Sequence, residues 1–421
     1  MDCDVLVIGG GASGCMAAGF ASENKNKVIL AERNDKLGRK LMITGKGRCN
    51  VTNSCSLLND LIENVPVNGR FLYSAFSRFM PFDTMDFFEN LGVPLKIERG
   101  NRVFPESDRA SDIVDALERF LKSSNIKTVK SRIIKLHCVN NHIEYAVDSN
   151  GNTIQASNYI IASGGKSYPG TGSTGDGYSL AKQCGHSIVP IKPSLVPLET
   201  EEEFVKKLQG LSLKNISVTV TDNDHYREIY SDFGEMLFTH FGISGPIILS
   251  ASSHMRDMKP GKYSITIDLK PALSEEKLDA RLLREFSENS NKSIANVLVK
   301  LLPHKIIPVM IQLSGISSDL KVNQITKEQR RELIYLFKNF TVTVKGFRPI
   351  EEAIITSGGV SVKEIDPKTM KSKLCDNLYF AGEVIDVDAY TGGFNLQIAF
   401  STGVLAGKSI KKYTAEGECY D

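Results

Sequence analysis

Three glycines and one acid near the start of the chain have side chains and a spacing with chemical meaning. Gly9, Gly11 and Gly14 follow an apolar run, and Glu32 ends a second apolar run 18 residues after Gly14. In a dinucleotide site the first such glycine lets the chain turn off a strand, the second lets a pyrophosphate approach the backbone, and the third lets a helix lie close to the sheet. A carboxylate at Glu32 would accept hydrogen bonds from the hydroxyls of an unphosphorylated ribose. The pattern predicts a dinucleotide site, and the alternative is a glycine turn in an ordinary βαβ unit.

These residues must be positioned by a strand, a tight turn, a helix and a second strand. The apolar residues 5–8 and 28–31 predict the two strands, and the alanine-rich residues 15–21 predict the helix between them. The helix N-terminus, with Ala12 and Ser13, would face the phosphates with unpaired N–H groups and the positive end of its dipole. Because the glycines follow a strand and open a helix with the acid in register, we favour the dinucleotide site.

A basic, glycine-rich stretch follows the acid. Residues 33–40 are polar and basic, and residues 44–53 place glycines beside Lys46 and Arg48. Such a flexible and cationic backbone can close over an anionic cofactor, and the alternative is a solvated basic loop. Its position directly after the ribose acid favours a cofactor role. The candidate cofactor contacts in this stretch are Arg33, Lys40, Thr44, Gly45, Arg48, Cys49 and Asn50.

Three further segments with glycines lie far from the first. Residues 160–165 end an apolar strand in small residues, residues 378–383 end another in glycine and acid, and residues 391–395 lead into a helix over 396–410. Glu383 can hold ribityl hydroxyls, and a glycine-started helix can aim its dipole at a charge that develops on a ring. Both ends of the chain therefore build the cofactor domain. The candidate contacts in these segments are Ser163, Gly164, Gly165, Gly382, Glu383, Gly392, Gly393, Phe394 and Asn395.

The middle of the chain has a different residue pattern. Residues 216–220 and 265–269 alternate as half-buried strands, and residues 273–338 show the spacing of amphipathic helices. The sequence predicts an α/β fold in which a Rossmann-like cofactor domain, residues 1–190 and 346–421, is split by an inserted domain, residues 191–345. The inserted domain is expected to be β-rich, with a helical insert at about 273–338.

Composition and charge bound the function classes. The 421 residues carry 51 basic and 49 acidic side chains, which offers no field for nucleic acid, and no apolar run reaches the roughly 18 residues of a membrane span. We expect a small-molecule substrate, no nucleic-acid partner and no membrane span. The first strand begins at about Asp4 and leads into glycines instead of a cleavage site, so we expect a cytoplasmic protein without a secretory signal.

The spacing of the cysteines predicts free thiols. The chain has eight cysteines with no CxxC pair and no metal-ligand spacing. A disulfide framework, a zinc site and a dithiol redox centre are therefore not expected, and we predict no metal. Cys49 stands apart because it lies inside the basic motif. Since it has no partner at CxxC spacing, we predict that Cys49 is not an essential redox thiol.

At these motifs the sequence resembles the two-dinucleotide-binding-fold flavoproteins, and more closely the BaiN-type and aminoacetone-oxidase family of FAD-dependent oxidoreductases. The resemblance spans almost the whole chain and is carried by residues 9–14, 44–50, 162–165, 238–246, 381–383 and 391–395. It implies FAD, with its adenosine near Glu32, its pyrophosphate at residues 11–14 and its flavin near residues 392–395. It also implies an inserted β-barrel with helices. Glu383 stands where an aspartate is usual in the wider superfamily, and the carboxylate is kept.

The resemblance leaves more than one reaction open. One branch of the family resembles reductases of conjugated C=C bonds in 3-oxo bile-acid intermediates, and another resembles oxidases of small amines such as aminoacetone. We favour an NAD(P)H-using reductase of an enone in a steroid-like substrate. A flavin-carrying RNA-binding module is a third hypothesis, which the neutral charge balance disfavours. Because no second GxGxxG opens a strand-to-helix turn, NAD(P)H would dock transiently over the flavin, or another reductase would supply the electrons.

Besides the hydride from the flavin, reduction of an enone requires a hydrogen-bond donor and a source of one proton. A donor must polarise the carbonyl as enolate charge develops, and a proton must reach the α-carbon. Tyr390, just before the glycine turn expected at the flavin, is the first candidate donor. His240, in the loop 239–242, is the second. Packing of the tyrosine and a loop hydrogen bond of the histidine are the alternatives.

Overall fold

The computed structural model describes residues 1–124 and 126–411. The chain forms two compact units: a split unit, Met1–Ser194 together with the residues from Ile350 onward, and an inserted unit, Leu195–Pro349. These boundaries lie a few residues beyond the predicted limits at 190 and 345. Cys419 lies outside the described residues.

The first segment of the split unit alternates strands and helices. Its strands are β1 (Asp2–Ile8), β2 (Val28–Glu32), β3 (Thr52–Asn53), β4 (Leu95–Glu98), β5 (Arg102–Pro105), β6 (Lys127–Lys130), β7 (Ile133–Val139), β8 (His142–Asp148), β9 (Thr153–Ile161) and β10 (Ile188–Ser194). Its helices are α1 (Ala12–Glu23), α2 (Leu58–Glu63), α3 (Tyr73–Arg78), α4 (Pro81–Asn90), α5 (Ala110–Ser123) and α6 (Asp176–Gln183). Short 3₁₀ turns lie at Leu41–Gly47, Gly69–Leu72 and Pro169–Thr171.

The inserted unit is a closed barrel that carries helices. Its strands are β11 (Leu198–Thr200), β12 (Ser212–Asp222), β13 (Arg227–Phe238), β14 (Gly242–Ser244), β15 (Tyr263–Asp268) and β16 (Phe340–Phe347), closed in the order β11-β14-β13-β12-β15-β16. Its helices are α7 (Phe204–Lys207), α8 (Pro246–Ser252), α9 (Glu275–Glu288), α10 (Ile294–Leu298), α11 (Ile307–Ser314) and α12 (Lys327–Lys338). Helices α9 to α12 fall within the predicted helical insert. Inward residues of alternating strands, such as Val218 and Ile265, are fully buried and fill the barrel.

The returning segment completes the split unit with β17 (Ile355–Val360), β18 (Leu378–Phe380) and α13 (Phe394–Lys408). The main sheet has the order β6-β2-β1-β9-β8-β7, and β18 also pairs with β9. Strands β6, β2, β1, β9 and β18 are parallel, whereas β7 and β8 are antiparallel additions. Smaller sheets have the orders β3-β5-β4 and β10-β17. The predicted fold class, a Rossmann-like domain split by a barrel with helices, is confirmed.

Helices α1 and α13 cross at close range. Both are buried around most of their circumference, which is why their sequences are rich in small residues instead of amphipathic. A Cβ at Gly403 would lie 2.4 Å from Ser13 O, and one at Gly407 would lie 2.5 Å from Ala17 O. Glycine at these two positions lets the last helix reach the first. The two ends of the chain therefore share one core.

A helix that crosses a bilayer needs about 20 predominantly apolar residues. None of the helices in residues 1–124 and 126–411 combines the length and the apolar composition that crossing a membrane requires.

Candidate functional site

A cleft of about 1300 Å³, counted to its open mouth, lies in the split unit. Its walls include residues 9–13 after β1, 31–34 at the end of β2, 162–164 after β9, and Glu383 after β18. All four segments follow the carboxyl ends of parallel strands, which is where open α/β sheets bind ligands. The returning segment adds Asn395 and Leu396 from the first turn of α13.

The glycines of the first turn divide into two roles. Gly9 has φ +108°, and a Cβ there would lie 2.7 Å from Ala162 O, while a Cβ at Gly14 would lie 1.8 Å from Gly9 O. These two glycines permit close packing of the turn. A Cβ at Gly11, in contrast, would meet no described protein atom within 4 Å. Gly11 is also the N-cap of α1 and offers no side chain to the first helical N–H groups, so an anion can approach them.

Glu32 braces the turn from the end of β2. The residue is 8% exposed, and its carboxylate accepts hydrogen bonds from Gly10 N at 2.7 Å and from Asn34 N at 2.8 Å. The side-chain amide of Asn34 donates a third bond at 2.7 Å. A carboxylate has about four acceptor positions, so ribose hydroxyls at this wall would share an oxygen with a protein donor.

One buried hydroxyl in the cleft lacks a protein partner. Ser163 Oγ is buried, lines the cleft and has no hydrogen-bond partner among the described residues. Gly164 beside it has φ +73°, which turns the chain away from β9. A buried polar atom without a partner is costly, so the site suits a ligand with polar groups. Together with the open space at Gly11 and the carboxylates of the wall, this arrangement fits FAD.

Lys40 and Glu383 meet on the cleft wall. Lys40 Nζ lies 2.7 Å from Glu383 Oε2 and 2.6 Å from Ser167 Oγ. Glu383 Oε1 accepts bonds from Thr356 N at 2.8 Å and from Ser167 Oγ at 3.1 Å. A Cβ at Gly165 would lie 2.8 Å from Glu383 Oε1, which explains the glycine at this position. The network joins the basic stretch to the returning segment.

Asp176 and Arg132, which the sequence did not indicate, lie together on another part of the wall. Asp176 accepts hydrogen bonds from Arg132 at 2.7 and 2.9 Å, and Arg33 Nη1 lies 3.4 Å from the same carboxylate. The Arg132 bond lowers the pKa of Asp176 below its ordinary value. The sequence feature that could have pointed to Asp176 is the glycine-rich loop at residues 166–177, which contains this residue and lies along the cleft. The sequence around Arg132 has no comparable feature.

The motif at residues 44–50 holds loops more than it lines the cleft. Among the described cleft residues the motif contributes Thr44. Arg48 instead donates to Asp108 at 2.7 Å, pairs with Glu98, and lies 4.1 Å above the ring centre of Phe104.

The neighbours of Arg48 in the motif also make protein contacts. Cys49 is fully buried, and burial raises the pKa of its thiol to about 12. With its amide oxygen facing the turn, Asn50 accepts from Gly393 N at 2.9 Å. Gly45 has φ +57°, and a Cβ there would lie 2.9 Å from Asn50 N. Cofactor contact by Gly45, Arg48, Cys49 and Asn50 stays a prediction.

The glycines of the returning segment serve close approach. A Cβ at Gly382 would lie 2.4 Å from Ser13 Oγ, and one at Gly393 would lie 2.2 Å from Thr52 O. Gly392 and Gly393 have φ +122° and +103°, and Gly393 caps α13. Phe394 is buried at the start of the helix.

Asn395 is the residue of this turn that lines the cleft. Its Oδ1 accepts from Ala389 N at 2.9 Å, and its Nδ2 donates to Tyr390 O at 3.2 Å. The side chain therefore fixes the backbone that precedes the turn.

The two candidate proton donors lie in different units. Tyr390 is half-buried in the split unit, and its backbone N–H donates to Asn64 O at 3.0 Å. His240 is exposed in the inserted unit, with its ring centre 5.0 Å from that of Phe241. Neither belongs to the described lining of the cleft. Their catalytic roles stay predictions.

A match to a known protein family covers almost the whole chain and agrees with this fold. Residues 3–409 match the family described as the HI0933-like protein Rossmann domain. The chain belongs to this family. The match covers both segments of the split unit and the barrel between them, and the protein is an FAD-dependent oxidoreductase.

Individual relatives cover nearly the whole chain. The 3-dehydro-bile acid delta(4,6)-reductase of Clostridium scindens is 30% identical over 410 residues, 96% of this chain and 98% of that protein. The ribosomal RNA dihydrouridine synthase of Escherichia coli is 31% identical over 402 residues, 95% of this chain and 96% of that protein. Among solved structures, 3-ketosteroid-delta4-(5alpha)-dehydrogenase from Rhodococcus jostii RHA1 has a TM-score of 0.53 at 12% identity, over 98% of this chain and 97% of that chain. The last likeness concerns the fold alone.

Proposed function

We propose that the protein is an FAD-dependent reductase of a C=C bond conjugated to a carbonyl group. The observation that carries the proposal is the cleft of the split unit, where the open space at Gly11, the orphan hydroxyl of Ser163 and the acid Glu32 suit a dinucleotide. The reaction is supported by the names of two relatives, since a Δ4 bond beside a 3-oxo group and the 5,6 bond of uracil are both conjugated to a carbonyl. When bound, FAD supplies a hydride to the β-carbon of such a system.

The cleft residues have separate tasks in this proposal. The N–H groups at the start of α1 bind the pyrophosphate, and Glu32 holds the adenosine ribose. Lys40 and Glu383 orient the ribityl chain from opposite segments of the split unit, 2.7 Å apart. The N-terminus of α13, capped by Gly393, directs its positive dipole end towards charge that develops on the ring. These residues bind and orient, and the substrate still needs a proton.

Tyr390 is the proposed proton donor. It precedes the turn that starts α13, and Asn395, which lines the cleft, holds the Tyr390 carbonyl at 3.2 Å. A phenol there would polarise the substrate carbonyl and donate a proton as the enolate forms. His240 of the inserted unit is the second candidate. Replacing each residue in turn and measuring turnover separates the two candidates.

The proposed substrate is a 3-oxo steroid or bile-acid-like enone, with NAD(P)H as the electron donor. A second candidate is a uracil base of ribosomal RNA. It is supported by the relative from Escherichia coli, a ribosomal RNA dihydrouridine synthase that is 31% identical over a stretch covering 95% of this chain. The net charge of +2 supplies little attraction for RNA phosphates, which is why the steroid comes first. Oxidation of a small amine is the remaining alternative.

An anaerobic half-reaction tests the proposal. The holoenzyme is reduced with NADH, NADPH or dithionite, and flavin absorbance is followed after addition of a 3-oxo-Δ4 steroid acid or of ribosomal RNA that lacks dihydrouridine. Reoxidation by the steroid with a saturated product supports the first candidate, and reoxidation by the RNA supports the second. The matched controls are the saturated steroid and ribosomal RNA that already carries dihydrouridine. Flavin reduction by aminoacetone with peroxide formation in air, and no reoxidation by either acceptor, would contradict the reductase.

A further inference from the structure

Three cysteines that are distant in sequence meet in the split unit, away from the described lining of the cleft. Cys138 lies in β7, Cys184 follows α6, and Cys375 lies between β17 and β18. Their sulfur atoms all lie within 4.8 Å of one another. Cys184 and Cys375 are buried, and Cys138 is half-buried. The cluster therefore has two enclosed thiols and one that faces solvent in part.

Hydrogen bonds hold the segment of Cys375 against that of Cys184. Cys375 N donates to Ser372 Oγ at 2.8 Å, and that hydroxyl is hydrogen-bonded to His186 Nε2 at 2.7 Å. His186 lies two residues after Cys184, its side chain is fully buried, and Glu364 holds its other ring nitrogen at 3.1 Å. The imidazole thus positions both cysteine segments without using a sulfur atom.

A second set of bonds ties Cys375 to the strand beside Cys138. Asn377 Nδ2 donates to Ile143 O at 2.9 Å, and Asn377 Oδ1 accepts from Ile143 N at 2.9 Å. Ile143 lies in β8, and its partner across the antiparallel ladder is Cys138 itself. All three thiols are therefore set in place by the backbone and by polar side chains. Such outer partners are what orient ligands in metal sites.

The sulfur separations suit one shared ion. A zinc–thiolate bond is about 2.3 Å, so two thiolates on one tetrahedral ion lie roughly 3.8 Å apart. Small side-chain rotations, which move each sulfur atom by a fraction of an ångström, bring the three atoms to that separation. Three thiolates without a carboxylate or imidazole form a soft ligand set, which selects zinc or monovalent copper. A disulfide, by comparison, would use two of the thiols and leave the third unmatched.

We propose that Cys138, Cys184 and Cys375 form a three-thiolate site for one soft cation, zinc(II) or copper(I). Binding releases the thiol protons to solvent and changes no oxidation state. For zinc, water occupies the fourth position on the solvent side of Cys138; for copper(I), three sulfurs complete a trigonal site. The ion cross-links β7, the end of α6 and the segment before β18, so its task is to stabilise this side of the sheet.

Metal retention by the holoenzyme tests the site. Metal-stripped protein is loaded with zinc(II) in one arm and with copper(I) in the absence of oxygen in the other, each buffered by a competing chelator, and metal per chain is measured. We expect about one equivalent in the wild type with the preferred ion, and at least tenfold less retention in Cys138→Ser, Cys184→Ser and Cys375→Ser. Cys55→Ser removes a half-buried thiol outside the cluster and is the matched control. X-ray absorption should count three sulfur neighbours, at about 2.3 Å for zinc.

A second measurement keeps the test independent of folding in the variants. In the wild type, bound metal should protect these three cysteines, and not Cys55, from alkylation mapped by peptide mass spectrometry. Equal retention in the wild type and all variants, fewer than three sulfur neighbours, or a disulfide within the cluster of freshly purified protein would each overturn the proposal. FAD content is recorded in parallel, so failure of the metal site is distinguishable from failure of the cofactor site.

Discussion

Lys40 Nζ and Glu383 Oε2 lie 2.7 Å apart on the wall of the cleft, although 343 positions separate the two residues in the chain. Their side chains are 23% and 20% exposed, so the pair is only partly screened by solvent. The contact ties the stretch after the ribose acid to the strand that returns from the inserted unit. It therefore joins the first segment and the returning segment of the split unit at the wall of the cleft.

Breaking this pair should destabilise the apoprotein in a non-additive way. We expect Lys40→Met and Glu383→Gln to show a coupling free energy of about 1 to 3 kcal/mol in a double-mutant cycle. Each single change leaves a partly buried charge without its partner, and the second change then removes that charge. Chemical denaturation of the apoprotein measures the coupling free energy. Lys122→Met, an exposed lysine of α5, is the control. Strict additivity of the two changes would show that the contact carries no stability.

Gly11→Val should abolish FAD binding and leave the fold intact. A Cβ at Gly11 meets no described protein atom within 4 Å, so the added side chain occupies ligand space instead of protein space. We expect FAD occupancy to fall at least tenfold while the thermal midpoint of the apoprotein stays unchanged. Gly346→Val, at a glycine of β16 that is equally open, should retain its FAD. Full occupancy in Gly11→Val would show that the pyrophosphate binds elsewhere.

The Arg132 pair predicts a specific pH dependence at Asp176. Because Arg132 lowers the pKa of Asp176 in the folded protein, the pair stabilises the fold above the ordinary aspartate pKa and loses this effect as pH falls through the lowered value. We expect Asp176→Asn to cost about 1 kcal/mol or less at pH 7, since Arg132 is 45% exposed and screened by solvent.

The deficit of Asp176→Asn should begin to shrink as the pH falls below about 4, the ordinary aspartate pKa, and disappear below the lowered pKa, where the carboxyl of the folded wild type also becomes neutral. Urea unfolding at pH 7 and pH 3 tests the sign. Asp115→Asn, at an exposed position of α5, should show no such change. A deficit that grows towards acid pH would contradict the linkage.

Cys49→Ser should preserve catalysis. The thiol is fully buried, and burial raises its pKa to about 12, so it stays protonated at neutral pH and is a poor nucleophile. We expect kcat/KM to remain above a tenth of the wild-type value, a loss below about 1.4 kcal/mol. Cys49→Ala controls for burial of the serine hydroxyl. Loss of turnover with FAD fully bound in both variants would make Cys49 essential.

Tyr390→Phe should slow the chemical step. If Tyr390 donates the proton, its loss lowers kcat by about 10² to 10⁴ with little change in KM and an unaltered flavin spectrum. Rapid mixing of the reduced enzyme with the preferred acceptor measures the step. Tyr226→Phe, at a tyrosine that is 91% exposed in the inserted unit, should react normally. Normal turnover in Tyr390→Phe would move the role to His240, which His240→Gln then tests.

The family resemblance implied the barrel, and the sequence pattern by itself determined the first βαβ unit, the split of the Rossmann-like domain and a β-rich inserted domain with a helical insert. These features are local or periodic, because a buried strand, a glycine turn and an amphipathic helix each leave a pattern within a few residues. It also indicated Glu32, Ser163 and Glu383, each of which lies at or just after the end of a strand that points to the cleft. Parallel strands bring such ends together without any knowledge of side-chain contacts.

Only the tertiary structure decided which side chains meet. The sequence did not indicate that the guanidinium of Arg48 binds Glu98 and Asp108, and the cysteine spacing predicted separate free thiols where Cys138, Cys184 and Cys375 converge. The physical reason is that a sheet places residues from distant strands within a few ångströms of one another, whereas spacing along the chain records only neighbours on the same element. The Lys40–Glu383 contact and the cysteine cluster both arise from the return of the chain after the inserted unit.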